Sequence, residues 1–311
     1  MPVNNIFLTV LLLFFHRSKL GGYLVLGIVL SLLLPLTCSA SATKLKLGVY
    51  KPNSIGVGVK DLKIGLEVWI TEIGRSNGIE SEIFYYDDPK KLAKAFKEGR
   101  INMSVANPLV YVQYFDMSLL LPGVVGYSSN KKDASKLLLL VRDEDRKKPI
   151  TAFLKREISI PRYAEESRLL METIAMKNGC IYEPSFSLTK NSQLAILQLF
   201  FKKSDMAVVS LPDYKVAMEL NPQLKKRLGI YKTFDIFVGD LTYMRKGMDK
   251  KFYNTIIENA KNLFKTPRGR QVMLMFHADT VDFCYADDLK NIRELYRQYR
   301  KLKSSKDHND L

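Results

Sequence analysis

The chain has 311 residues, 47% of them apolar and 26% charged, with a formal net charge of +16. That length supports a large core or two lobes of ordinary domain size, and the composition excludes disordered and collagen-like classes. The basic excess admits nucleic acid, an anionic membrane surface or an anionic ligand. The sequence contains no aromatic-interleaved RNA-binding run, helix-turn-helix signature or finger-type spacing, so the excess is read as a lysine-rich solvated surface and nucleic acid is set aside.

The first stretch reads as an export signal. His16, Arg17 and Lys19 precede an uncharged run from Leu20 to Leu36, and Ala40-Ser41-Ala42 then matches an A-x-A cleavage site ahead of Thr43. Residues 1–42 are therefore expected to be a signal peptide, and the mature protein to be periplasmic. The apolar run is also near the short limit of a membrane span, which leaves an uncleaved anchor open, as Cys38 leaves lipidation open. Arg17 and Lys19 are the only formal charges ahead of Lys44, so the rest of the chain still carries +14 of the +16. Cys180 and Cys284 remain after cleavage. Two cysteines define no disulfide framework, and two unpaired thiols are expected.

Lys44 to Tyr50, KLKLGVY, alternates as a first strand and runs into a Pro- and Gly-bearing loop. Leu62, Leu66, Ile70 and Ile73 make a helix face ending near Asn77-Gly78. Ile83 to Tyr86 is β-prone. Asp88-Pro89 is a cap-plus-proline helix start, and Gly99 stands where a left-handed residue closes the helix. Ile101, Met103 and Val105 alternate as a strand leading to Asn107-Pro108, a second capped start with Tyr111 one turn inside. Leu119 to Val125 and Lys136 to Arg142 are two more apolar runs, the second of buried-strand type.

After the charged segment Asp143 to Lys148, a second strand–helix series begins. Glu157 to Ile160 ends on Pro161-Arg162-Tyr163, and a helix follows from about Glu165 to Asn178. Cys180 to Glu183 is expected as a strand, Thr189-Lys190-Asn191-Ser192 as a helix start, and Asp205 to Ser210 as the next strand. Asp235 to Met244 is strand-like again, before two helices and a basic terminal helix from Asp287 to Lys303. This is an α/β chain in two lobes. Residues 43–139 begin lobe one, 140–233 form lobe two, and 234–311 return to lobe one, so the chain crosses twice. Open α/β sheets bind ligands at strand C-terminal ends, where helix N-termini suit anions.

The motifs KLGVY, EIFYYDDPKKLAKAFKEGRINMSVANPLVY, LLLVRDED, FSLTKNSQLAILQLFFKKSDMAVVS and TPRGRQVMLMF stand in an order and spacing that covers almost the whole mature chain. They resemble those of the phosphate/phosphite/phosphonate substrate-binding proteins of ABC transporters. The resemblance implies a type II periplasmic binding protein fold, with a small anionic ligand held between the lobes and passed to a membrane permease. A membrane sensor protein is the alternative partner. It also implies site positions. Tyr50 matches the aromatic loop after the first strand, and Asn107 and Tyr111 match the G/N-P-x-x-Y turn facing the cleft. Thr189 and Lys190 match the hydroxyl and histidine of the family's F-S-x-S-H-D turn. In place of a Ser-Thr-Ser-Gly-type turn stand Pro161-Arg162-Tyr163. That departure widens the expectation from phosphonate to small anions, with Arg162 able to grip an oxyanion bidentately across the cleft from Asn107 and Tyr111.

Catalysis has no motif behind it, since G-x-S-x-G, Walker A and glycine-rich dinucleotide patterns are absent from the sequence. Cys284 is the sole nucleophile an enzyme reading would have, without an evident base. The run His277 to Cys284 is read as structural rather than as a metal site, and no cofactor is expected. The pairs Asp87-Asp88, Glu165-Glu166 and Asp287-Asp288 are read as complements to helix dipoles.

Overall fold

Alternation in the first strand does what its pattern requires: in β1 (Leu45–Tyr50), Leu45, Leu47 and Val49 are buried in the core of lobe one. The computed structural model describes residues 44–50, 59–75, 78–127, 131–180, 183–275 and 278–309. The expected signal peptide, the loop after Tyr50 and His277 lie outside these residues.

β1 is followed by α1 (Val59–Arg75), β2 (Ser81–Tyr86), α2 (Pro89–Lys97), β3 (Met103–Ala106), α3 (Pro108–Tyr114) and β4 (Leu120–Tyr127). The two cap-plus-proline starts form as the sequence indicates. The Asp88 carboxylate accepts from the Lys90 amide, and Asn107 Oδ1 accepts from the Val110 amide at 2.9 Å. Gly99 closes α2 at φ +75. A Cβ on Gly48 would lie 2.2 Å from Ile101 Cδ1 and 2.7 Å from Leu92 Cδ1, so a bare backbone is what lets α2 rest on β1.

The chain then passes through α4 (Lys131–Ala134) to β5 (Leu137–Arg142), α5 (Thr151–Leu154), β6 (Glu157–Pro161), α6 (Glu165–Lys177), β7 (Ser185–Thr189), α7 (Ser192–Phe200), β8 (Met206–Ser210), α8 (Leu211–Leu220), α9 (Pro222–Arg227) and β9 (Leu228–Phe234). It returns with β10 (Leu241–Arg245), α10 (Lys250–Asn262), α11 (Pro267–Met275), β11 (Thr280–Cys284) and α12 (Lys290–Asn309).

Two sheets result. The first has the order β11-β4-β10-β3-β1-β2, the second β7-β6-β8-β5-β9. β1, β2 and β3 run parallel, as do β6, β7 and β8, while β10 and β5 are the antiparallel strands that join each set. The first passage between sheets lies between Tyr127 and Leu137, a few residues ahead of the boundary drawn at 140. The LLLLV run is a complete, fully buried strand of the second sheet. The second passage lies between Phe234 and Leu241. The strand expected over Cys180 to Glu183 falls partly outside the described residues, and the strand seen next in the chain is Ser185–Thr189. There SFSLT alternates polar and apolar residues, as a half-exposed edge strand does.

Both lobes share a core. Leu109 and Val110 of α3, Leu169 and Leu170 of α6, and Ile292 and Leu295 of α12 belong to one buried cluster. α12 packs along both α6 and α3. Cys180 is half-buried, Cys284 is buried, and neither is paired.

Candidate functional site

In each sheet the parallel strands point their C-terminal ends toward the passages between lobes. Register shows this: Leu137, just after the first passage, pairs with Ser210 at the end of β8, and Leu241, just after the second, pairs with Ala106 at the end of β3. In lobe one the strand ends at this junction carry Tyr50 and Asn107. In lobe two they lead into the turns after Pro161, Thr189 and Ser210.

The side chain that meets Asn107 across this junction is Glu165. Asn107 Nδ2 donates to Glu165 Oε2 at 3.4 Å while its Oδ1 caps α3. Burial pushes the Tyr50 hydroxyl up to about 12, with the charge of Glu165 adding to it and those of Tyr114 and Asp88 following. Glu166, next in α6, is 2% exposed, and its Oε1 has no hydrogen-bond partner among the described residues. Burial first, then the charges of Glu165 and Asp240, push its carboxyl up to about 8, against the opposing pull of its own amide and that of Leu109. The neighbouring Ser167 hydroxyl is likewise buried without a partner among these residues. Asp240 lies in the second passage, and the protein around it raises its carboxyl to about 6 by desolvation.

Other expected site residues divide. Tyr111 is fully buried in lobe one, its hydroxyl donating to Ser104 O at 2.8 Å and Leu241 O at 3.1 Å, with the Ser104 hydroxyl 3.1 Å away. It is a core tyrosine and does not face the cleft. Thr189 is 4% exposed and spends its hydroxyl on Asn191 O at 2.8 Å and Ile160 O at 3.2 Å, which fixes the turn after β7. Arg162 and Lys190 are exposed at neighbouring turns, with the Arg162 amide donating to Thr189 O at 2.9 Å. The Arg162 guanidinium makes no hydrogen bond or ion pair with the described residues. The side chain that touches Asn107 from lobe two is the carboxylate of Glu165. Tyr163 is 44% exposed, and partial burial plus the charge of Asp213 raise its hydroxyl. Asp213 is itself held by the Ser192 and Ser210 hydroxyls at 2.6 and 2.7 Å.

The sequence does not single out Glu165, Glu166 or Asp240, which the structure brings close to one another at the junction of the lobes. The doublet was visible, but a carboxylate pair in a first helical turn has a sufficient local explanation in the dipole. Burial also pushes the Cys284 thiol up to about 12, so that residue is no nucleophile. No group of side chains suited to a metal occurs among the described residues.

The sequence profile of the phosphonate ABC transporter periplasmic substrate-binding proteins matches residues 59–288. No curated protein matches the chain by sequence. Among solved structures, PhnD1 of Prochlorococcus marinus in complex with methylphosphonate superposes with a TM-score of 0.58 at 13% identity, covering 84% of this chain and 99% of that one. XAC2383 of Xanthomonas citri, bound to ATP, gives 0.58 at 14%, covering 84% and 98%. A binding-protein component of an ABC phosphonate transporter of Pseudomonas aeruginosa gives 0.55 at 13%, covering 84% and 88%. These likenesses establish the two-lobe type II binding-protein fold, and with the profile match they place the chain in the family of phosphonate ABC transporter periplasmic substrate-binding proteins.

Proposed function

We propose that this solute-binding protein is exported through its first 42 residues, closes its lobes on a small oxyanionic solute and delivers it to the permease of an ABC transporter. The observation that carries this reading is the convergence of both sets of parallel strand ends on one junction, within a chain whose family profile spans residues 59–288. Ligand contacts to both lobes would stabilise the closed form. Among the described residues, Arg162 and Lys190 on the lobe-two turns are cations that could meet an oxyanion; Tyr50, Asn107 and Tyr163 offer polar hydrogens, whereas Tyr111 and Thr189 serve the framework. Among the described residues no helix is long and apolar enough to cross a membrane.

Native mass spectrometry of freshly purified protein, followed by calorimetric titration with methylphosphonate and inorganic phosphate, tests the reading. A co-purified or titrated oxyanion whose affinity falls about tenfold or more in Arg162→Ala, the worth of one charge-assisted bond, is the expected result. An unchanged dissociation constant removes Arg162 from the site. Co-purification of a cationic solute instead overturns the oxyanion assignment.

A further inference from the structure

We propose that Glu166 is a proton-operated latch between the lobes: neutral, it lets the start of α6 rest against the start of α3, and ionised, it drives the two apart. Glu166 is 2% exposed, with one carboxyl oxygen unpartnered among the described residues, immediately beside the Asn107–Glu165 contact that joins the lobes. A charge so placed has no water to solvate it.

The groups around it come from each neighbouring element. Glu165 on its own helix and Asp240 in the second passage oppose its ionisation, while its own amide and the Leu109 amide of α3 favour it. Tyr114 of α3 lies near Glu165 without relieving that repulsion. α5 carries no titratable side chain. α12 presents Gln298, Tyr299 and Lys303 to the other end of α6, at Lys177 and Glu172, away from Glu166. The charged neighbours are thus both carboxylates, and Arg168 on the next turn acts on Glu165.

The linkage has a definite sign. The arrangement seen here, with α6 against α3, keeps the proton on Glu166 up to about pH 8, and on the proposal this arrangement is the closed one, whereas a hydrated carboxyl in a parted form would lose it near the ordinary 4.5. Closure is therefore strongest on the acid side. The closed-to-open ratio falls by up to about tenfold per pH unit across that window, and no further above it. The inference requires two lobes and a hinge but no particular solute, so its failure would leave the solute-binding reading standing.

Small-angle X-ray scattering of the full chain, freed of bound solute by exhaustive dialysis, reads the effect between about pH 6 and about pH 9. The radius of gyration is expected to rise with pH in the native protein and to hold its low-pH value throughout in Glu166→Gln. A native radius that does not change, or a Glu166→Gln variant that expands equally, overturns the latch. Carbon-13 spectra of glutamate-labelled native protein supply a readout that needs no variant. One carboxyl titrating well above the ordinary glutamate range is expected, its midpoint between the values of the two forms, and titration of every glutamate in the ordinary range refutes the proposal.

Discussion

Arg142, the last residue of β5, is a point at which removing one polar side chain should cost lobe two heavily. Its Nε donates to Asp145 Oδ2 at 2.9 Å, its Nη1 to Ser204 O at 2.8 Å and its Nη2 to Asp205 Oδ1 at 2.8 Å. The side chain is 14% exposed and that of Asp145 only 5%, so this is a nearly buried network rather than a surface pair. Breaking a buried pair by deleting one partner costs about 3–5 kcal/mol. Here Asp145 would keep Lys148 at 2.6 Å, and Asp205 would keep Arg156 at 3.4 Å. That places Arg142→Ala at the lower end, about 3 kcal/mol, a large part of a typical domain's stability. Urea unfolding should be followed by far-ultraviolet circular dichroism together with the fluorescence of Trp69, the single tryptophan, which reports on lobe one. If the lobes unfold as one, both signals shift together; if not, only the dichroism moves. Arg142→Lys should recover part of the loss, keeping the charge without the fork. A shift below about 1 kcal/mol in both signals would reduce the network to the worth of an exposed ion pair and refute the reasoning.

Asp145 gives the same network a pH dependence. Burial alone would raise its carboxyl, but the Lys148 hydrogen bond and the Arg142 charge outweigh burial and hold it below the ordinary value. Its contribution is therefore present above the unfolded carboxyl range and lost as pH falls through the lower folded value, so the stability gap between native protein and Asp145→Asn should close in acid unfolding below about pH 4. Tyr111→Phe removes a hydroxyl that three core oxygens surround and should lower stability by about 1–3 kcal/mol, measured by urea titration, with solute affinity unchanged. Gly99→Ala forces a left-handed Cβ toward the Arg245 guanidinium, 3.4 Å from its Cζ; about 1–2 kcal/mol of destabilisation is expected in thermal melts, and none would show that α2 can end another way.

The local punctuation of this fold was legible because its causes are local. Asp88-Pro89, Gly99 and Asn107-Pro108 each act within one turn, and each does in the structure what its residue type requires. β7 is harder to read, because its SFSLT alternation is that of a half-exposed edge strand and the apolar residues just before it give the stronger signal. The site was harder. Whether Tyr111 turns inward depends on Leu241, whose carbonyl is brought in by β10 from 130 residues away. Arg162 and Glu165 sit three residues apart around a turn, and only the tertiary setting decides which of them crosses to Asn107.

The terminal helix places a mechanical condition on all of this. Two strand passages alone would define an axis about which one lobe could swing freely. α12 is a third attachment, lying along α3 of one lobe and α6 of the other, with Ile292 and Leu295 in the common core. A body held at three places cannot rotate about two of them without slip at the third. Any opening of the cleft must therefore shear α12 past one of its two partners, and the resistance of that seam, as much as any solute, sets how far and how fast the lobes part.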